Sequence, residues 1–221
     1  MAKMVWDQTG SRWYETGVSD VGLFVKDTAG KKWTGVPWNG VTGITESPDG
    51  AELTDIYADN IKYASLRSAE TFGATIEAYT YPDEFAECDG SAEPVDGVML
   101  GQQTRKAFCL VYKTKIGNDT QDESDDGYKL HIIYNATASP SEKAYSTVND
   151  SPEAITFSWE VNTTPLNVTG YKTVSTITID SRRADKEKLK TLETMIYGSE
   201  SAEPTLPEPD ELLSTMGYTA A

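Results

Sequence analysis

Residues that commonly carry chemistry are scarce in this chain. Its 221 residues include one histidine, His131, and two cysteines, Cys88 and Cys109. A single imidazole excludes multi-histidine metal sites and leaves one possible imidazole base. The two cysteines stand far apart without metal or redox spacing, which reads as structural thiols in a reducing cytoplasm. No P-loop, dinucleotide fingerprint, H-E-x-x-H or G-x-S-x-G sequence occurs. No apolar run reaches the length of about 18 residues that a transmembrane helix requires. The opening residues M-A-K-M-V-W-D-Q-T-G contain no apolar run, so a signal peptide is not expected. Cations are also in deficit. Nineteen Lys and Arg face 35 Asp and Glu, for a formal charge of −16. Affinity for phosphate comes mainly from Lys and Arg displacing counterions, so nucleic-acid binding through a basic patch is not expected.

What the chain does contain is strand-forming sequence. Hydrophobic content of 38% with 24% charged residues is that of a globular chain with material for a core. Segments rich in β-branched and aromatic residues, separated by turn signals, predict strands at Val21–Lys26, Lys31–Val36, Ile61–Arg67, Phe72–Thr80, Lys106–Ile116, Tyr128–Ala136, Ile155–Thr163 and Thr173–Ile179. Asp27 to Gly30 reads as the turn of a first hairpin. Gly35 to Ala58, with Pro37, Pro48 and several glycines, reads as a long loop containing strand fragments. Long ordered loops usually serve function or interfaces. Over Glu70–Gly90 a strand with alternating faces is expected to run directly into one short helix, with Pro82 at its first turn and Gly90 past its end.

The clearest helix is predicted from Asp185 to Tyr197. Asp185 can cap it, Leu189, Leu192, Met195 and Ile196 share a face, and Gly198 stops it. Beyond it, Ser199–Ala221 has three prolines, five acids and no Lys or Arg. That composition predicts a linker with a brief helical turn around Asp210–Met216. The division is therefore a β domain over residues 1–198 and an acidic tail over 199–221. The fold class is mostly β, with some α: an antiparallel sandwich or partly closed barrel with one packed helix.

Candidate sites are weak one by one. His131 lies in K-L-H-I-I-Y, on the side of its strand opposite Leu130 and Ile132, so it reads as a residue of the more polar face. The acidic run Asn118–Asp126 invites a calcium loop starting at Asp122. Its twelfth position, however, is Ile133, where a bidentate Glu is required. A solvated hairpin tip accounts for it better. Thirty-five acids guarantee close carboxylate pairs, so glycoside chemistry gains nothing from their abundance. No metal, cofactor or enzyme activity is expected. Five Trp and twelve Tyr allow a carbohydrate-binding or adhesin-like β-sandwich as the alternative reading. Phe157 and Trp159 share a face with Ile155 and Val161 and so belong to a core. Trp33, Trp38, Tyr57 and Tyr63 lie on or beside the long loop and are less constrained. Two strands pair an apolar face with a small-polar one: Thr156, Ser158, Glu160 and Asn162 on the first, Thr176 and Thr178 on the second.

Literal strings carry more than these patterns do. E-T-F-G-A-T-I-E-A-Y-T-Y-P-D-E-F-A-E-C-D-G at Glu70–Gly90 and Q-Q-T-R-K-A-F at Gln102–Phe108 are two of them. G-Y-K-L-H-I-I-Y-N-A-T-A-S-P-S-E-K-A-Y-S-T-V-N-D from Gly127, S-P-E-A-I-T-F-S-W-E-V from Ser151, and the segment Trp38–Asn60 are the others. Together they resemble the major tail tube protein of long-tailed, non-contractile bacteriophages of Gram-positive hosts. The resemblance covers most of residues 20–200.

That resemblance implies a virion protein made in the bacterial host cytoplasm and assembled into the phage tail. It implies hexameric rings that self-assemble and stack into a hollow tube with a continuous β-barrel wall. The implied partners are further copies of the chain, a tape-measure protein, and tail terminator and baseplate proteins. Viral DNA would pass through the lumen at ejection without specific binding, and no membrane anchor is implied. Under this reading Thr156, Ser158, Glu160, Asn162, Thr176 and Thr178 are the candidate lumen-facing residues. Trp38, Asn39, Glu46, Pro48 and Tyr57 are the candidate inter-subunit residues of the long loop.

Overall fold

A computed structural model of the chain describes residues 3–27, 32–120, 127–147 and 154–219. The expected turn at Asp27–Gly30 and the acidic run before Gly127 fall largely outside these segments. In chain order the strands are β1 (Trp13–Lys26), β2 (Trp33–Pro37), β3 (Val41–Gly50), β4 (Leu53–Ala58), β5 (Ile61–Arg67), β6 (Glu70–Ala78), β7 (Ala92–Val95), β8 (Val98–Leu100), β9 (Phe108–Asn118), β10 (Tyr128–Ala138), β11 (Phe157–Thr163), β12 (Thr176–Asp180) and β13 (Thr205–Leu206). Helix α1 (Lys186–Tyr197) follows β12, and α2 (Pro209–Thr215) follows β13. The fold is mostly β, as the alternating patterns predict.

Nine strands form one antiparallel sheet in the order β13-β2-β1-β9-β10-β11-β6-β3, with β12 also on β10. The sheet changes direction at β10. Lys129–Ile133 of that strand pair with β12, whereas Ala136–Ala138 pair with β11, and an irregularity separates Ile133 from Ala136. Such a bulge bends a strand and increases its twist. The layer β11-β6-β3 therefore folds over one face of the rest of the sheet. Between the layers lies a core of Leu23, Ile76, Phe85, Phe108, Leu110, Ile133, Trp159 and Val161. The other face of β1, β9 and β10 holds a second core with α1 and α2, built from Phe24, Trp33, Val111, Leu130, Ile132, Leu189, Leu192, Ile196 and Leu212. Burial on both faces explains why β9 opens with the unbroken run Phe108–Tyr112, all of it buried.

Helix α1 obeys its sequence signals. The Asp185 carboxylate accepts hydrogen bonds from the backbone N–H groups of Glu187 and Lys188 at 3.0 and 3.2 Å. Leu189, Leu192 and Ile196 form the buried stripe. Gly198, at φ 77°, adopts a conformation that glycine tolerates best.

Four local expectations are corrected. The long loop over Gly35–Ala58 is mostly strand, since β3 and β4 lie within it. After Pro82 there is only a 3-10 turn at Asp83–Phe85, held in place by the fully buried Phe85. The linker expected over Ser199–Ala221 instead packs on the body across its described part. There β13 pairs with β2, and Leu206 and Leu212 enter the helix-side core. Trp33 and Trp38 are not loose aromatics, each being 2% exposed. The indole N–H of Trp33 donates to Glu208, and that of Trp38 donates to the carbonyl of Thr80. Burying such a ring stabilises the fold by about 1.5–3 kcal/mol, and each N–H keeps a partner.

Candidate functional site

Two surfaces and one side-chain cluster stand out, all connected with β3. The β3–β6 ladder pairs Val41–Gly50 with Glu70–Ala78, and the same excursion of the chain continues outward as the β4–β5 hairpin. The hairpin closes through Asp59-Asn60, both at positive φ (50° and 62°), as a two-residue turn of the primed type requires. Tyr63 (75% exposed), Tyr57 (67%), Ile61 (65%), Leu53 (59%), Leu66 (58%) and Ile56 (40%) all stand in solvent. The arm carries Asp55 and Asp59 against Lys62 and Arg67, so it is formally neutral in a chain of −16. Lys62 pairs with Asp55 at 2.7 Å, and that hydrogen bond holds the Asp55 carboxyl below its usual range. An isolated two-stranded hairpin is marginally stable in water. Six large apolar side chains on one without a core mark it as an interaction element.

The second surface is the outward face of β11-β6-β3. The register aligns Gly43, Glu77 and Ser158 in one row, Thr45, Thr75 and Glu160 in the next, and Ser47, Gly73 and Asn162 in a third. Asp49 and Thr71 extend it. Every residue of this face is small, polar or acidic, with Asp49, Glu77 and Glu160 charged and no Lys, Arg or aromatic. The opposite face of the same strands supplies Ala74, Ile76, Trp159 and Val161 to the inter-layer core. Period-two alternation thus separates this face from the core-side one, which also carries Glu46 and Glu70 towards the outer end of the ladder.

These placements divide the residues singled out from sequence. Ser158, Glu160 and Asn162 share the polar face, and Thr156 precedes β11. Thr176 and Thr178 do not join them. They lie opposite Ile133 and His131 of β10, on the side of the sheet facing the inter-layer core. Sequence alternation sorts residues within one strand, but which faces of two strands coincide was decided by the bend in β10. The two faces of β6 were legible, but nothing in the sequence joined its polar face to that of β11, and β3 was missed because a polar strand has little signal of its own. Among the loop residues, Asn39, Pro48 and Tyr57 are exposed. Trp38 is core, and Glu46, itself exposed, accepts a hydrogen bond from the Tyr112 hydroxyl at 2.5 Å.

Around Glu46 lies the polar cluster. The His131 ring stacks on Tyr112, with centroids 4.8 Å apart and planes within 6°. Its Nε2 is 2.9 Å from Thr114 Oγ1, its Nδ1 is 3.4 Å from Thr178 Oγ1, and Glu46 Oε1 is 3.8 Å from Nδ1. Burial lowers the affinity of His131 for a proton, while Glu46 and Glu15 work against that effect. Burial, with the Glu46 carboxylate, pushes the Tyr112 hydroxyl up. Both cysteines are buried, and desolvation pushes the Cys88 thiol up to about 12. Among the described residues no group of three or more His, Cys, Asp or Glu is placed to hold a metal, and no helix is long and apolar enough to cross a membrane.

A two-layered β protein with a separated polar face and a projecting apolar arm has the anatomy of a subunit that builds with copies of itself. A family model described as phage tail tube protein matches residues 28–195. The chain belongs to that family, and its role is structural, in the tail tube of a phage particle. No curated protein matches it.

Proposed function

We propose that the chain forms hexameric rings that stack into the tail tube, with the outward face of β11-β6-β3 turned to the lumen. The observation that carries this reading is the composition of that face: three acids, small polar residues and no cation. A wall of this kind offers passing DNA no charge-assisted contact and no stacking platform. Screening confines its repulsion to about 8 Å at physiological salt, so it discourages adhesion at the wall without closing the bore. The tape-measure protein would occupy the lumen before ejection, and terminator and baseplate proteins would meet the two ends of the tube.

Subunit contacts follow from what the protomer leaves open. Within the described sheet β3 pairs only with β6, and β12 only with β10, so each has a free edge. Pairing such edges between copies removes a hazard and closes a ring by a heterologous contact. The β4–β5 arm, neutral and apolar, is the element that can approach an acidic neighbour without repulsion. Negative-stain electron microscopy of the purified protein at high concentration tests the reading. Rings or hollow tubes of uniform width are expected; a protein that stays monomeric even when supplied with tail-initiator proteins would overturn it.

A further inference from the structure

Two of the strings singled out in the sequence meet at a place that the tube reading does not use. Glu87–Gly90, the end of the first, lies against Gln103–Lys106, the middle of the second. The N–H of Gln103 donates to the carbonyl of Gly90 at 2.8 Å, and that of Lys106 to the carbonyl of Glu87 at 3.1 Å. Between them the chain makes the β7–β8 hairpin, turned at Asp96-Gly97 with Gly97 at φ 79°. The hairpin pairs with no other described strand, and Val95, Val98, Met99 and Leu100 on it are 66, 50, 47 and 49% exposed. Like the β4–β5 arm, it is a two-stranded ribbon whose apolar side chains find no cover within the protomer.

Arg105 stands at the foot of this hairpin. Arg12, Arg67, Arg182 and Arg183 are exposed, whereas Arg105 is half-buried. Its side chain lies flat over Gly90, where a Cβ would come within 3.1 Å of the guanidinium carbon and 3.2 Å of Cγ. Gly90 thus supplies both a left-handed turn, at φ 80°, and room for the guanidinium. Nε is buried without a hydrogen-bond partner among the described residues. The acids nearest to Gly90 in sequence are already taken: Lys143 holds Asp89 and Lys106 holds Glu87, each at 2.5 Å. A guanidinium that has given up part of its hydration without gaining a partner weakens the protomer that carries it. With Nε turned inward, the open edge is the pair of terminal nitrogens, spaced to hold both oxygens of one carboxylate.

We propose that Arg105 receives a carboxylate from a second copy of the chain, in a contact that also covers the β7–β8 hairpin. Arginine and methionine are favoured in contacts of this kind, where an apolar centre adjoins a charge that finds its partner on assembly. Charge selects the class of partner. A chain with 35 acids and 19 bases has a surplus of carboxylates to offer a copy of itself. Phosphate is disfavoured, because one cation on a segment that also carries Glu93 and Asp96 gives a polyanion no row of charges to follow. That the partner is a copy rests on the tube reading; that Arg105 is left open within the protomer does not.

Assembly of the full-length protein carrying Arg105→Gln or Arg105→Lys tests the contact. Arg105→Gln should unfold at or above the wild-type temperature, because no partner within the protomer is lost. By sedimentation it should assemble only at about ten-fold higher protein concentration. Val95→Ser with Val98→Ser, a cross-strand pair of the hairpin, should shift assembly in the same direction. Arg105→Lys supplies an amine at the site. In assemblies mixed from isotope-labelled and unlabelled copies, carbodiimide should couple that amine to a carboxylate of a differently labelled copy, which mass spectrometry then identifies. Arg105→Gln that assembles at the wild-type concentration, or cross-links from position 105 only within one copy, overturns the proposal. An Arg105→Gln protomer that unfolds well below wild type assigns the side chain a role within the protomer and overturns it too. Wild-type tubes in any of these cases leave the tube reading standing without this contact. Self-association that Arg105→Gln weakens, seen without rings or tubes, supports the contact and counts against the tube.

Discussion

The β3–β6 ladder and the β4–β5 arm are two halves of one excursion of the chain, and they solve the problem of burial differently. In the inner half the apolar residues Ile44, Ala74, Ile76 and Ala78 lie on one face, against the inter-layer core. The other face is small and polar. In the outer half Leu53 and Arg67 form one cross-strand pair and Thr54 and Leu66 the next, so apolar side chains occur on both faces. The inner half is stabilised within the protomer. The outer half gains comparable stabilisation only from another molecule. A ribbon that is half anchored and half exposed is what a protein needs in order to reach a neighbour while keeping a defined shape.

The comparison breaks most severely at the core. Trp159→Ala removes the ring against which Trp38, Tyr81, Phe85 and Phe157 pack. It should cost about 3–5 kcal/mol in urea-induced unfolding. A loss well under 1 kcal/mol would mean that the inner half is not anchored there. Tyr112→Phe deletes the hydroxyl that holds Glu46. It should cost about 1 kcal/mol and speed hydrogen exchange in β3 more than in β9. Lysines at Thr45, Thr75 and Ser158 leave the core untouched and should shift stability by about 0.5 kcal/mol or less. Tubes carrying them should form normally and eject DNA more slowly, and ejection at the unmodified rate would remove the electrostatic part of the lumen assignment. Replacing Tyr57, Tyr63 and Leu66 together by Ser should have the smallest effect on the protomer, because these side chains contact solvent. Assembly, scored by sedimentation, should be lost, and tubes as abundant as wild type would exclude the arm as a contact.

Much of the inner architecture was legible as sequence. Helix α1 was, because a capping Asp185, an apolar stripe and Gly198 agree. So was the two-faced strand β11, where Phe157, Trp159 and Val161 alternate with Ser158, Glu160 and Asn162. Strand β3 was not. Thr45, Glu46, Ser47, Pro48 and Asp49 have weak strand preference, and they form a strand because β6 offers a ladder and Ile44 reaches a core assembled from distant segments. Trp38 could not be placed from its neighbours either. Its burial depends on Phe85 and Trp159, which are remote in sequence.

The sequence by itself determined the chemical limits of this protein and its class: one imidazole, too few for a multi-histidine metal site, an acidic balance of charge that argues against a basic patch, alternating strands, and strings that resemble tail tube proteins. Those properties follow from residue identity and local periodicity, which need no third dimension. Only the tertiary structure decided which polar faces coincide. The bulge between Ile133 and Ala136 turned β11 over the sheet, where Ser158 lies beside Glu77 and Glu160 beside Thr75, while Thr176 and Thr178 were left on the other side. It also brought Glu46 to Tyr112 and His131. Contacts between residues so far apart in the chain depend on how layers stack, and layer stacking minimises exposed apolar area over the whole molecule rather than over any one segment.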